Sequence, residues 1–253
     1  MKIATLSEDD IWAANNTDYS EVLLGILSSR ECLVVIEHGQ PKYRVVIGVP
    51  HQTAIGEEFI CEKNTRRRSD ENAVSYALVT FSHLAENDIP CRIVIATHAE
   101  TEDPNKVTTS SYFKEIFAKP CELLLECHGA AAGRSLDLEV SAGSNGLTNT
   151  ERFGYKLWGE LQLRYKLGVQ TAAGKAKAMI FCTDGTKIEG SLENPAIHTD
   201  SLIAAGTNGI PALHLEAKPV FRKPADNMDR VTEDGCILGL AIARAIMKDS
   251  QPW

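Results

Sequence analysis

Two stretches of this chain end an apolar run on groups that bind metals or move protons. In "LLLECHGAAAG" (123–133) the leucines stop at Glu126, Cys127 and His128, and small residues follow. In "VVIGVPHQTAIGEE" (45–58) His51 comes directly after Val49 and Pro50. Further reactive groups follow other apolar runs: His98, Glu100, Glu102 and Asp103 after "CRIVIATHA", and His214 and Glu216 within "PALHLEAK". Neutral imidazoles with one carboxylate are what a divalent cation needs. A site of two histidines and one carboxylate also keeps a position open for water, whose pKa zinc lowers towards ~7. A nearby carboxylate must then take the proton and pass it to the leaving nitrogen. Glu216, late in the chain, is well typed for that work.

Those groups meet only if the fold brings distant segments to one edge. The pattern predicts strands over 31–39, 42–50, 91–99, 121–128, 136–143, 176–185 and 211–221, the first two as a hairpin. Helices are predicted around 20–30 and over 69–88, 110–118, 148–168, 198–209 and 234–249. Ser69 or Asp70 is placed to cap the helix at 69–88. Strands and helices alternate, which predicts an α/β fold: one three-layer domain over 1–253, a central mixed sheet flanked by helices. In open sheets of this kind, sites form at the carboxyl ends of strands. Glu126 and His128, two apart on one strand, share a face. Glu126 is therefore a candidate to orient His128 from behind, and Cys127 points to the other face.

Composition narrows the function classes. The chain has 253 residues, a net charge of −8 and 43% hydrophobic residues, ordinary for a globular protein and without the basic surface of a nucleic-acid binder. The triple Arg66-Arg67-Arg68 reads as a solvated loop. Seven scattered cysteines without a CxxC pair suit reduced thiols and a cytoplasmic location. Acidic residues at the N-terminus do not suit a secretory signal, and no run approaches the ~18 apolar residues of a membrane span. Neither nucleic acid nor membrane is an expected partner. No GxGxxG follows a strand and no GxxxxGK[ST] is present, so nucleotide binding loses support.

Five stretches, "VPHQTAIGEEF", "RRRSDENA", "EDPNK", "LLLECHGAAAGRSLDLEVSAGS" and "GIPALHLEAK", resemble in order the motifs of the N-formylglutamate amidohydrolase family. That family is similar in fold to zinc carboxypeptidases and aspartoacylases. The resemblance runs from about 45 to 220. It implies one Zn2+ held by His51, His128 and an acidic residue at a helix start, with Asp70 the best match and Glu71 adjacent. It implies Glu216 as general base and acid. It also implies Asn105 and Lys106 as the pair that holds the carboxylate of a small anionic substrate.

Two departures from the family pattern bear on this. The carboxypeptidase His-x-x-Glu is absent because position 54 is Ala, which leaves Glu57 and Glu58 as further candidates for the middle ligand. Lys106 stands where an arginine would form a bidentate fork, so it binds as a point charge. Arg134, after the small-residue loop, is a further candidate substrate ligand. His214 shares a face with Glu216 and reads as a buried imidazole that could assist. The implied activity is hydrolysis of a small N-acyl amino acid such as N-formylglutamate. A peptidase acting on poly-γ-glutamyl or cell-wall peptides, and a silent metal- or anion-binding protein, use the same residues.

Overall fold

The computed structural model describes residues 3–6, 25, 33–39, 42–56, 59–60, 66–67, 70–97, 103–132, 138–142, 152–157, 159–161, 180–183, 204–205, 207–228 and 230–249. The strands are β1 (Ile3–Leu6), β2 (Leu33–His38), β3 (Val45–Val49), β4 (Phe59–Ile60), β5 (Arg66–Arg67), β6 (Cys91–Ala96), β7 (Leu124–Gly129), β8 (Leu138–Ala142), β9 (Ile180–Thr183) and β10 (Ala212–Ala217). The helices are α1 (Val74–Glu86), α2 (Ser111–Ile116) and α3 (Glu233–Met247). Residues 152–157 and 159–161 are also helical.

Eight strands form one mixed sheet in the order β1-β2-β6-β3-β7-β10-β8-β9, and β4 pairs with β5 separately. The four central strands, β6, β3, β7 and β10, run parallel. Their carboxyl ends therefore lie along one edge, where His51, His128 and Glu216 occur in the sequence. The flanking strands β2 and β8 run antiparallel to their inner neighbours.

Each strand divides its residues between two faces with a period of two. Ile47, Val49, Leu125, Cys127, Leu213, Leu215 and Val140 pack with α1 and α3 in one core. The two helices approach closely: a Cβ at Gly239 would lie 2.6 Å from Val79 Cβ. Val46, Val94, Leu124 and Ala212 face the other way and pack with Tyr112 and Ile116 of α2. The sheet thus has helices on both faces, the α/β layering that the pattern predicts.

Three local expectations are corrected. The segments at 31–39 and 42–50 do not form a hairpin, because β6 lies between β2 and β3 and pairs with both. All residues of β6 are buried, and a strand covered on both faces takes the centre of a sheet. The helix at 69–88 begins at Val74, and its cap residue Ala73 has no side-chain bond. Gln52 supplies the acceptor instead, its Oε1 2.8 Å from Val74 N, while Asp70 is turned elsewhere. The strand at 211–221 ends at Ala217, and Pro219–Phe221 is a 3₁₀ turn, since proline has no N–H to continue a ladder. The predicted helix at 20–30, apart from residue 25, and most of 176–203 lie outside the described residues.

Candidate metal centre

His51 enters from the loop after β3, Asp70 from the loop before α1, and His128 from the end of β7. Two backbone bonds tie the first two loops together: Asp70 N donates to His51 O at 2.9 Å, and Asn72 N donates to Thr53 O at 3.0 Å. Asn72 sits at φ 57°, a left-handed conformation that Asn tolerates better than most residues. Its buried Nδ2 donates to Arg222 O and Arg230 O at 2.5 and 3.0 Å. The buried Arg222 guanidinium donates to Ala217 O, Ala130 O and Glu71 O. A Cβ at Gly129 would lie 2.5 Å from Arg222 Cζ, which accounts for the glycine after His128. Tyr76 of α1 donates to His128 O at 2.8 Å.

These contacts bring His51, Asp70 and His128 together, each with a possible ligand atom within 4.8 Å of the others. Asp70 Oδ2 lies 2.8 Å from His128 Nδ1 and 3.5 Å from His51 Nδ1. Ligands held about 2.0–2.1 Å from a tetrahedral zinc stand roughly 3.3 Å apart, which these separations bracket. The outer ring nitrogens face carboxylates. His51 Nε2 lies 3.0 Å from Asp103 Oδ1, and His128 Nε2 lies 3.6 Å from Glu126 Oε2. Without an ion, His128 Nδ1–H donates to Asp70 at 2.8 Å; a bound cation would displace that proton, and the carboxylates at Nε2 would keep the remaining ring proton there and leave Nδ1 to bind the ion. The donor set fits a divalent cation.

The electrostatics agree. Burial alone would lower both imidazoles. The carboxylates outweigh it, raising His51 through Asp103 and Asp70, and His128 through Asp70 and Glu126 to about 10. Burial alone would raise Asp70, but His128 and His51 hold it well below the usual carboxylate range. The cluster therefore stabilises positive charge where a metal would sit.

Behind His128 the polar chain continues into full burial. Glu126 Oε1 accepts from Tyr112 Oη at 3.0 Å, and Asn105 Nδ2 lies 3.4 Å from Glu126 Oε2 and 3.5 Å from His128 Nε2. Burial and the adjacent Glu126 charge raise the Tyr112 phenol, keeping it a donor. Gly48, register partner of Glu126 on β3, leaves room for that phenol, since a Cβ there would lie 2.1 Å from Tyr112 Oη.

The other expected residues fall as follows. Glu216 on β10 is the register partner of His128, with its side chain 15% exposed. Glu71 is adjacent to the cluster, but its carboxylate pairs with Lys223 and accepts from Gly56 N at 3.0 Å. Asn105, expected to hold the substrate carboxylate, is fully buried, with its Nδ2 next to His128 Nε2. Lys106 is half-buried in the turn that carries Asp103. Glu57, Glu58, Arg134 and His98 lie outside the described residues. Cys127 is buried, which pushes its thiol up; Cys91, Cys121 and Cys236 are likewise free thiols.

Sequence reasoning passed over Asp103 as the partner of His51, although "EDPNK" drew notice for its Asn and Lys. It also passed over Tyr112, Asn72 and Arg222, for which no local pattern exists.

No family model and no curated protein matches this chain. Among solved structures it is similar to gene product Atu2144 from Agrobacterium tumefaciens, with a TM-score of 0.50, 11% identity, and 87% of this chain and 97% of that one covered. It also aligns with N-formylglutamate amidohydrolase from Ralstonia eutropha JMP134, with a TM-score of 0.48, 9% identity, and 85% and 96% covered. A metallo-carboxypeptidase from Burkholderia cenocepacia aligns with a TM-score of 0.45, 15% identity, and 95% and 68% covered. The likeness to the Agrobacterium protein is one of fold. Among the described residues, no helix is long and apolar enough to cross a membrane.

Proposed function

We propose that this protein is a zinc-dependent amidohydrolase that cleaves a small N-acyl amino acid such as N-formylglutamate. One observation carries the reading. Two imidazoles turn Nδ1 towards the same Asp70 oxygen while each Nε2 faces a carboxylate. His51, Asp70 and His128 would hold the ion. Bound there, zinc would acidify a water to a pKa of about 7 and polarise a carbonyl.

The chain's own residues supply the rest. Asp103 and Glu126 fix the rings that bind the ion. Glu216, beside His128 and partly open to solvent, takes the proton of the attacking water and delivers it to the departing amine nitrogen. Lys106, in the turn behind His51, attracts the substrate carboxylate as a point charge. Arg134 is assigned the same task on the sequence resemblance.

The test is metal analysis of the purified protein, then hydrolysis of N-formyl-L-glutamate with and without a chelator. Release of formate that stops on chelation and returns with zinc supports the reading. Metal-free protein that hydrolyses as fast as the zinc-loaded form, or loaded protein inert towards a panel of N-acyl amino acids, overturns it.

A further inference from the structure

The sheet face that carries His128 continues as a polar tile across three strands. One row is Glu126, His214 and Ser141, and the next is His128, Glu216 and Glu139, read across β7, β10 and β8. Residues in register share a face, so all six project to the same side. His214 occupies the centre of the first row. It is 6% exposed, and its ring stacks on that of His128 with centroids 4.3 Å apart and planes at 39°. Its Nδ1 lies 3.4 Å from Ser141 Oγ, and its Nε2 lies 3.9 Å from Glu216 Oε1. An apolar residue would fill this place without the desolvation cost of an imidazole.

We propose that His214 is a positioning residue for Glu216, with Ser141 setting the tautomer that makes this possible. The proposal rests on the reading of Glu216 as general base. Were the proton on Nδ1, the Nε2 lone pair would face the Glu216 carboxylate, acceptor against acceptor. With Ser141 Oγ–H donating to Nδ1, the proton sits on Nε2 and points towards Glu216. A small rotation of the carboxylate closes the gap to a hydrogen bond of about 3 Å. One Glu216 oxygen is then held while the other is presented to water. The stack on His128 limits rotation of the His214 ring, so the metal ligand and the base are aligned by one side chain.

The test uses the full zinc-loaded chain with N-formyl-L-glutamate as probe. His214→Leu is expected to lose roughly 10- to 100-fold in kcat, with KM little changed and zinc content equal to the parent. His214→Gln places an amide N–H near the Nε2 position and is expected to recover most of that loss, whereas His214→Asn, which reaches only the Nδ1 position, is not. A leucine variant with parental kcat, or Gln and Asn variants equally impaired, overturns the proposal. An activity-independent readout is the 15N spectrum of histidine-labelled protein, with His214 assigned by the leucine variant. The expected form carries its proton on Nε2, and that resonance shifts in Glu216→Gln. A proton on Nδ1, or no response to Glu216→Gln, overturns the proposal whatever the substrate assay gives. A parent protein inert towards the probe counts against the amidase reading alone.

Discussion

Asp103 Oδ1 stands 3.0 Å from His51 Nε2, on the ring edge opposite the one that faces Asp70. Asp103 follows β6 and His51 follows β3, so the parallel pairing of these neighbours makes the contact. The carboxylate holds the proton on Nε2 and makes Nδ1 the basic nitrogen. Asp103→Ala is expected to weaken zinc binding roughly 10- to 100-fold. Competition with a chromophoric chelator measures this, and saturating zinc should restore much of the lost turnover.

Glu216 is placed to move a proton and makes no part of the ligand cluster. Glu216→Gln is expected to keep parental zinc content and lower kcat about 10²- to 10⁴-fold. Metal analysis and steady-state kinetics on the same preparation separate the two effects. Loss of zinc in this variant would make Glu216 a ligand.

Stability of the metal-free protein should depend on pH in a defined sense. His128 is raised from an ordinary 6.5 to about 10, with His51 raised alongside it. A raised folded-state pKa gives stability that is full below about 6.5 and lost as pH climbs through about 10. Asp70 is lowered from an ordinary 3.8, so its contribution is full above that value and fades as pH falls. Urea unfolding of metal-free protein should therefore show stability declining between about pH 7 and 10. Zinc replaces the ring protons, so its affinity should rise over neutral pH and flatten the alkaline decline.

Gly48 reserves space for the Tyr112 phenol that donates to Glu126. Gly48→Ala is expected to destabilise by roughly 1–3 kcal/mol through overpacking of a buried ring. Tyr112→Phe removes the donor without the clash and leaves the buried carboxylate one partner short, for roughly 1–3 kcal/mol. Denaturant unfolding of both variants with unchanged m-value is the check.

The period of two was legible in the sequence at the end of β7. In "LLLECHG" it separates Leu125 and Cys127, which pack on α1 and α3, from Glu126 and His128. The convergence of His51 and His128 follows from strands that end at one edge. Strand order was less legible, because the turn-like residues at 39–42 suggest a hairpin while the burial of β6 decides its neighbours. The helix start was misread for a related reason. Asp70 has the right chemistry for a cap, but two imidazoles compete for its carboxylate and win. Arg222 and Asn72 carry no sequence signal, because their partners are backbone carbonyls of segments far away along the chain.

His51, Asp70 and His128 are close enough to share one cation. Anomalous diffraction at the zinc edge from crystals of the zinc-loaded protein tests it most directly. A peak is expected within bonding distance of His51 Nδ1, Asp70 Oδ2 and His128 Nδ1, with Asp103 and Glu126 behind the rings. A zinc peak elsewhere, or none at this cluster in zinc-loaded crystals, contradicts it.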